Sequence, residues 1–224
     1  MNRPDRNALR KMLRLYLVTD SAACLGRALP DVVEAAVQGG VGCVQLREKQ
    51  LDTRCFTEMA IALKERLAPH GVALVINDRI DVALACQADG VHLGQSDMPV
   101  AIARGLLPPQ VFIGLSVETP QQAQEAAALE VDYLGVSPVF ATSTKTDTGT
   151  PWGLDGLRRL RASTPLPLVA IGGIQLSNAQ QVLDAGADSL AVVSAICSAP
   201  SPQEAAGRLR AVFNLLDENI GAQA

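Results

Sequence analysis

Short stretches of this 224-residue sequence bring cations, carboxylates and an amide together at spacings that suit phosphate chemistry. In QLREK, the residues Gln45, Leu46, Arg47, Glu48 and Lys49 form one candidate substrate-binding segment. Alternation along a strand sends Gln45, Arg47 and Lys49 to one side and Leu46 to the other. An amide, a flat guanidinium fork and a compact ammonium projecting together can hold a pyrophosphate. The plainer alternative is a solvated charged loop in which Glu48 is the internal partner. Further on, Asn77 and Asp78 close one apolar run, and Asp97 follows the next. Adjacent parallel strands lie about 4.8 Å apart, so carboxylates on neighbouring strand ends can reach one cation. Oxygen-only ligands favour Mg²⁺, which takes one or two carboxylates and leaves the remainder to water and phosphate. Taken singly, Asp97 also reads as a helix N-terminal acid, and Asp78 as a turn residue paired with Arg79.

Downstream, Ser116 offers a hydroxyl to a substrate or a cap to the following helix. The stretch SPVFATSTKTDTGTPWG (137–153) carries Thr142, Ser143, Thr144 and Lys145, three hydroxyls and a cation suited to anionic oxygens. Its length suits a lid or binding loop, and its composition also fits a solvated connection. In AIGGI, Gly172 and Gly173 let backbone N–H groups approach a ligand, or simply make a tight turn. Val193 and Ser194 end the last apolar run. His92 lies inside an apolar run and reads as a buried histidine with one hydrogen bond, not as a ligand. His70 reads as an exposed loop residue.

The elements that must position these groups are eight apolar runs: LRLYLVT from Leu13, CVQL from Cys43, ALVIN from Ala73, DGVHL from Asp89, VFIGL from Val111, VDYLGV from Val131, PLVAI from Pro167 and SLAVV from Ser189. Runs this short and apolar predict strands buried on both faces, as in a parallel sheet. Helical spacing separates them. Phe56, Met59, Ala60 and Leu63 mark a helix within Leu51–Leu67, and Asn178–Leu183 another, with Ser177 as its N-cap. Glycine or alanine stops at Gln38–Gly40, Ala88–Gly90 and Ala185–Ala187 precede strands. The alternation predicts a single-domain (β/α)₈ TIM barrel, although an open doubly wound sheet also alternates. In a barrel, the candidate site residues above, the two histidines apart, sit at strand C-terminal ends, and a phosphate site between the last two strands is common. The predicted division is an N-terminal extension over 1–12, a barrel over 13–218 and a tail over 219–224, with both ends loose.

Composition bounds the rest. With 48% hydrophobic and 3% aromatic residues, a core filled by aliphatic side chains is predicted. The net charge of −4 gives nucleic-acid binding no support. Cys24, Cys43, Cys55, Cys86 and Cys197 show neither zinc nor disulfide spacing, and free thiols suit a reducing cytoplasm. The segment MNRPDRNALRKMLR lacks a secretory apolar stretch, and no apolar run nears 18 residues. A cytoplasmic location follows as the expectation.

Together, YLVTD (16–20), VQLREK (44–49), NDRIDVALACQADGVHLGQSD (77–97), IGLS (113–116), PVFATSTK (138–145), VAIGGI (169–174) and AVVSAI (191–196) resemble the thiamine-phosphate synthase family across nearly the whole chain. QLREK, DGVHLGQ-x-D and the TK-containing loop are the specific elements; many phosphate-binding barrels share GGI. The sequence departs from the family pattern at Ser137, where glycine precedes the proline. The resemblance implies condensation of 4-amino-2-methyl-5-hydroxymethylpyrimidine pyrophosphate with a thiazole phosphate, releasing pyrophosphate. It further implies that Gln45, Arg47 and Lys49 hold the pyrimidine pyrophosphate, with Asn77, Ser116 and Lys145. Asp78 and Asp97 would hold Mg²⁺. Thr142, Ser143 and Thr144 would contact the thiazole phosphate, and Gly173, Val193 and Ser194 would close its phosphate site beside Gly172.

The implied path is dissociative, because loss of pyrophosphate from the CH₂ leaves a cation stabilised by the aminopyrimidine. Arg47, Lys49, Lys145 and Ser116 are then the catalytic candidates. The partners implied are small phosphorylated molecules, with no nucleic acid and no membrane; a homo-oligomer is left open. A thiazole tautomerase of the same barrel family would not need QLREK, Asp78, Asp97 or Lys145. A non-catalytic phospholigand binder would keep only the glycine-rich site.

Overall fold

In the computed structural model the described residues are 3–142 and 149–221, the side chains of 215–221 excepted. The eight apolar runs form parallel strands: β1 (Leu15–Val18), β2 (Cys43–Leu46), β3 (Ala73–Asn77), β4 (Gly90–Leu93), β5 (Phe112–Val117), β6 (Tyr133–Val136), β7 (Leu168–Ile171) and β8 (Ser189–Val192). They pair in sequence order, and β8 returns to β1 with Leu15 level with Leu190. The sheet is therefore closed, which removes the open-sheet alternative. The helices are α1 (Arg6–Leu13), α2 (Leu29–Gln38), α3 (Thr53–Leu67), α4 (Ile80–Ala85), α5 (Val100–Leu106), α6 (Pro120–Ala126), α7 (Gly153–Ser163), α8 (Leu176–Asp184), α9 (Ser194–Cys197) and α10 (Pro202–Gly221). The chain is a (β/α)₈ TIM barrel in one domain.

Strand alternation divides the core in two. Outward residues such as Leu17, Val44, Leu46, Leu74, Ile76, Val91 and Ile113 pack beneath the helices. Inward residues form a second cluster containing Tyr16, Val18, Cys43, Val75, Phe112, Tyr133 and Val169. The aliphatic filling predicted from composition holds for most of both layers, and the barrel interior adds three aromatic rings, Tyr16, Phe112 and Tyr133. Both tyrosines of the sequence lie inside the barrel. Glycines make room for the large rings. Gly90 sits level with Phe112, and Gly114 with Tyr133. A Cβ on Gly90 would fall 2.3 Å from the Phe112 ring, and one on Gly114 would fall 2.0 Å from that of Tyr133.

The N-terminal end of the barrel is a stability face. Asp89, Asp132 and Asp188 each precede or open the path into an even-numbered strand, and each accepts the N–H of a residue on the strand before it: Leu74, Ile113 and Leu168, all at 2.7–2.8 Å. Each is also paired with a helix cation, Lys64, Arg104 and Arg161 respectively. The predicted loose N-terminus is instead a helix. Asp5 caps α1 by accepting from Asn7 N and Ala8 N, and Leu9 and Leu13 join the inner cluster. Arg10 completes the attachment to Asp188 at 2.9 Å.

Two predicted helix boundaries shift. α3 starts at Thr53 because Asp52 accepts from Cys55 N at 2.8 Å. Ser177 lies within α8, whose N-cap is Gln175, its N–H donated to Asn178 Oδ1 at 2.9 Å. The stops at Gly40 (φ 99°) and Gly186 (φ 101°) take the left-handed region as predicted, whereas before β4 that role falls to Gln87 (φ 52°). Among the described residues, no helix is long and apolar enough to cross a membrane.

Candidate active site

All strand C-terminal ends open into one cavity of about 520 Å³. Gln45, Arg47, Lys49, Asn77, Asp78, Asp97, Ser116, Thr142, Gly172, Gly173, Val193 and Ser194 line it. Ser143, Thr144 and Lys145 lie outside the described residues. Two members of the QLREK segment do not belong to the cavity. Leu46 is fully buried in the outer core, because alternation turns it away from Gln45. Glu48 accepts from Ser21 Oγ at 2.6 Å and is not among the lining residues.

On one side of the cavity lie the cations and acids. Thr19, at the end of β1, accepts the Arg47 N–H at 3.0 Å, and Asp20 Oδ2 stands 3.9 Å from the Arg47 guanidinium. These two residues hold the strand end from which Arg47 projects. Lys49 Nζ is 2.5 Å from Asp78 Oδ2, so Asp78 is not the partner of Arg79, which instead forks onto Asp81. That pairing holds the Asp81 carboxyl below its ordinary range. Asp78 itself adopts a left-handed backbone (φ 62°), uncommon for a residue with a side chain. Asp97 does not cap α5, whose N-cap is Pro99; it accepts from Gly94 N at 2.6 Å. Burial raises the Asp97 carboxyl, and hydrogen bonding with Asp78 raises it further. Two carboxylates in contact are a site that a divalent cation relieves. Among the described residues no group of three or more His, Cys, Asp or Glu could hold a metal ion. Two acids with water and phosphate oxygens fit Mg²⁺, and fit zinc poorly.

On the opposite side, Gly172 (φ 103°) and Gly173 (φ 65°) turn the chain after β7. The segment after β6 packs on this turn through Val139 N to Ile171 O (2.9 Å) and Phe140 N to Gly172 O (3.0 Å). A Cβ on Gly172 would lie 2.8 Å from Pro138, and one on Gly173 would lie 2.8 Å from Ala141 O. Asn178 Nδ2 holds the Gly173 carbonyl at 2.9 Å. Ser137, the departure from the family pattern, is buried and lines the cavity.

Between the two sides lies a floor that sequence reasoning missed. His92 is half-buried and makes more than the one hydrogen bond expected: Nδ1 pairs with Tyr133 OH at 2.9 Å and Nε2 with Ser116 Oγ at 2.8 Å. Ser116 is therefore not a helix cap, a role taken by Thr119 at 3.2 Å from Gln122 N. Tyr16 and Tyr133 read as core residues in the sequence; for Tyr133 alone, Gly114 on the neighbouring strand is an available signal. His70 is exposed, as predicted.

A family model described as thiamine monophosphate synthase matches residues 15–196. Over 202 residues the chain is 68% identical to the thiamine-phosphate synthase of Albidiferax ferrireducens, covering 90% of this chain and 92% of that one. It is 54% identical over 192 residues to the thiamine-phosphate synthase of Vibrio campbellii, covering 86% and 94%. A thiamine phosphate pyrophosphorylase structure from Pyrococcus furiosus superposes with a TM-score of 0.84 at 37% identity, over 92% of this chain and 98% of that one. A 3-hexulose-6-phosphate synthase superposes with a TM-score of 0.65 at 19% identity and shares the fold.

Proposed function

The chain belongs to the thiamine monophosphate synthase family, and on that premise we propose how its own residues carry out the condensation. The reaction joins 4-amino-2-methyl-5-hydroxymethylpyrimidine pyrophosphate to a thiazole phosphate, giving thiamine phosphate and pyrophosphate. The observation that carries the reading is the division of one cavity into a cation-and-carboxylate side and a glycine side, each suited to a separate phosphate group.

Arg47 and Lys49 hold the leaving pyrophosphate, and Asn77 contacts the same substrate. Lys145 adds a third cation by the family resemblance. The C–O bond to the pyrimidine CH₂ breaks first, and its electron pair leaves with the pyrophosphate. The aminopyrimidine ring delocalises the resulting cation. The thiazole nitrogen then donates its lone pair to that carbon, forming the C–N bond and a thiazolium. The turn at Gly172–Gly173, with Val193 and Ser194, anchors the thiazole phosphate and so fixes the attacking nitrogen in place. Asp78 and Asp97 would hold Mg²⁺, which when bound supplies Lewis-acid stabilisation of the leaving group. The cations do their work electrostatically, on charge that develops in the transition state. Among the described residues no cysteine lines the cavity, in keeping with a path that needs no protein nucleophile.

Calorimetry with the pyrimidine pyrophosphate, with and without Mg²⁺, tests this assignment. Binding at least tenfold tighter with the metal is expected. Equal binding in its absence would remove Asp78 and Asp97 from the proposed role.

A further inference from the structure

A continuous line of hydrogen bonds crosses the floor of the cavity. Gln45 Nε2 donates to Tyr16 OH at 2.9 Å. Tyr16 OH is 3.0 Å from Tyr133 OH, which is 2.9 Å from His92 Nδ1. His92 Nε2 ends the line 2.8 Å from Ser116 Oγ. Its two ends, Gln45 and Ser116, are residues assigned above to the pyrimidine substrate. The three between them have no part in the mechanism as derived.

The line is built into the barrel. Tyr16 is 1% exposed and Tyr133 is fully buried. The Tyr133 ring stacks on His92 at 5.5 Å between centroids and meets Tyr16 edge-on at 6.2 Å. Glycines clear the space: besides Gly114 under Tyr133, a Cβ on Gly135 would fall 2.7 Å from His92 Cε1. Burial pushes both phenols well above their ordinary range, so each keeps its proton at neutral pH.

Each phenol has one proton to give, so the line can run in only two self-consistent directions. The Gln45 amide NH₂ facing Tyr16 selects one of them. Tyr16 then donates to Tyr133, and Tyr133 donates to His92 Nδ1. The imidazole is the Nε2–H tautomer and donates to Ser116 Oγ. The Ser116 proton is left to point into the cavity, and Gln45 Oε1 is left as an acceptor.

We propose that Tyr16, Tyr133 and His92 are positioning residues that set the hydrogen-bond polarity of the pyrimidine subsite, with Gln45 Oε1 as acceptor and Ser116 as donor. This rests on the substrate assignment above. A 4-aminopyrimidine offers an amino N–H donor and ring-nitrogen acceptors and matches that polarity. Its 4-oxo counterpart puts a carbonyl acceptor in place of the amino donor and N–H at a ring nitrogen, and so opposes it. A site built to pair with polar groups discriminates strongly against the mismatched analogue.

The test compares binding of the 4-amino and 4-oxo pyrimidine monophosphates, which lack the pyrophosphate leaving group, by calorimetry to the full chain. ¹⁵N NMR reads the histidine tautomer in the same protein, where exposed His70 is the only other histidine. The wild type should bind the amino compound at least about a hundredfold more tightly and show His92 as Nε2–H. Tyr133→Phe and Tyr16→Phe, which keep the rings, should reduce that preference to about tenfold or less and mix the tautomers. Thiazole phosphate affinity should stay within about twofold. Equal binding of both pyrimidines by the wild type, a dominant Nδ1–H tautomer, or an unchanged preference in both variants would overturn the proposal. Binding of neither pyrimidine would instead overturn the substrate assignment on which it rests.

Discussion

Lys49 Nζ lies 2.5 Å from Asp78 Oδ2, so a proposed pyrophosphate-binding cation and a proposed metal-binding acid neutralise each other before either meets its ligand. A divalent cation arriving alone must compete with that ammonium. Lys49 is more than half exposed, and exposed ion pairs are worth up to about 1 kcal/mol. Lys49→Met should therefore tighten Mn²⁺ binding to the substrate-free protein by up to about fivefold, measured by electron paramagnetic resonance titration. The same variant should lose turnover by about 10²-fold or more, since the leaving group loses a donor. Weaker Mn²⁺ binding in Lys49→Met would show that the lysine does not compete for this site.

Gly173→Ala should act on the thiazole phosphate alone. The new methyl would sit 2.8 Å from Ala141 O at a φ of 65°, and strain of this kind costs about 1–3 kcal/mol. An increase of about tenfold in KM for the thiazole phosphate is expected, with pyrimidine pyrophosphate affinity unchanged. Steady-state kinetics with each substrate varied in turn distinguishes this from a general loss of folding.

Asp188→Ala should separate stability from catalysis. Asp188 accepts from Leu168 N and pairs with Arg10 and Arg161, at the end of the barrel away from the cavity. Leaving that amide without its acceptor costs about 1–3 kcal/mol. Urea unfolding should show the loss while both KM values remain at wild type.

Alkaline pH should destabilise the fold through its buried thiols and phenols. Burial, assisted by neighbouring Cys24, pushes the Cys197 thiol up to about 12 from an ordinary 9.0, and the Tyr16 and Tyr133 phenols are also raised. A group with a raised folded-state pKa contributes its full stability below the unfolded value. That contribution is lost as pH climbs through the folded value, because the unfolded chain has already released its proton. Unfolding free energy should thus be flat near pH 8 and fall above about 9, by up to roughly 1.4 kcal/mol per pH unit for each such group. Cys197→Ala should make the slope shallower, whatever it does to the absolute stability.

Much of this was legible in the sequence, for physical reasons that can be named. The apolar runs from Cys43 and Ala73 become adjacent strands because their side chains are buried on both faces. Gln45, Arg47, Asn77 and Asp97 were legible because polar residues at the ends of such runs have few other reasons to be there. The floor was hidden. Tyr16, His92 and Tyr133 sit within apolar runs, and only the closed barrel brings residues so far apart in the chain into one line. The packing of α1 was hidden as well: Leu9 and Leu13 are two apolar residues in a charged segment, and their burial depends on a barrel mouth built by all eight strands. Leu46 and Glu48 follow a simpler rule, since alternation alone turns them out of a segment whose other members, Gln45, Arg47 and Lys49, line the cavity.

The most direct test of the account is turnover with both substrates, comparing Mg²⁺ with EDTA in the wild type and in Asp97→Asn, which keeps an acceptor for Gly94 N. The account predicts thiamine phosphate and pyrophosphate in equal amounts from the wild type with Mg²⁺, and a fall of about 10²–10³-fold in EDTA or in Asp97→Asn. Undiminished product formation in EDTA and in the folded variant would contradict it.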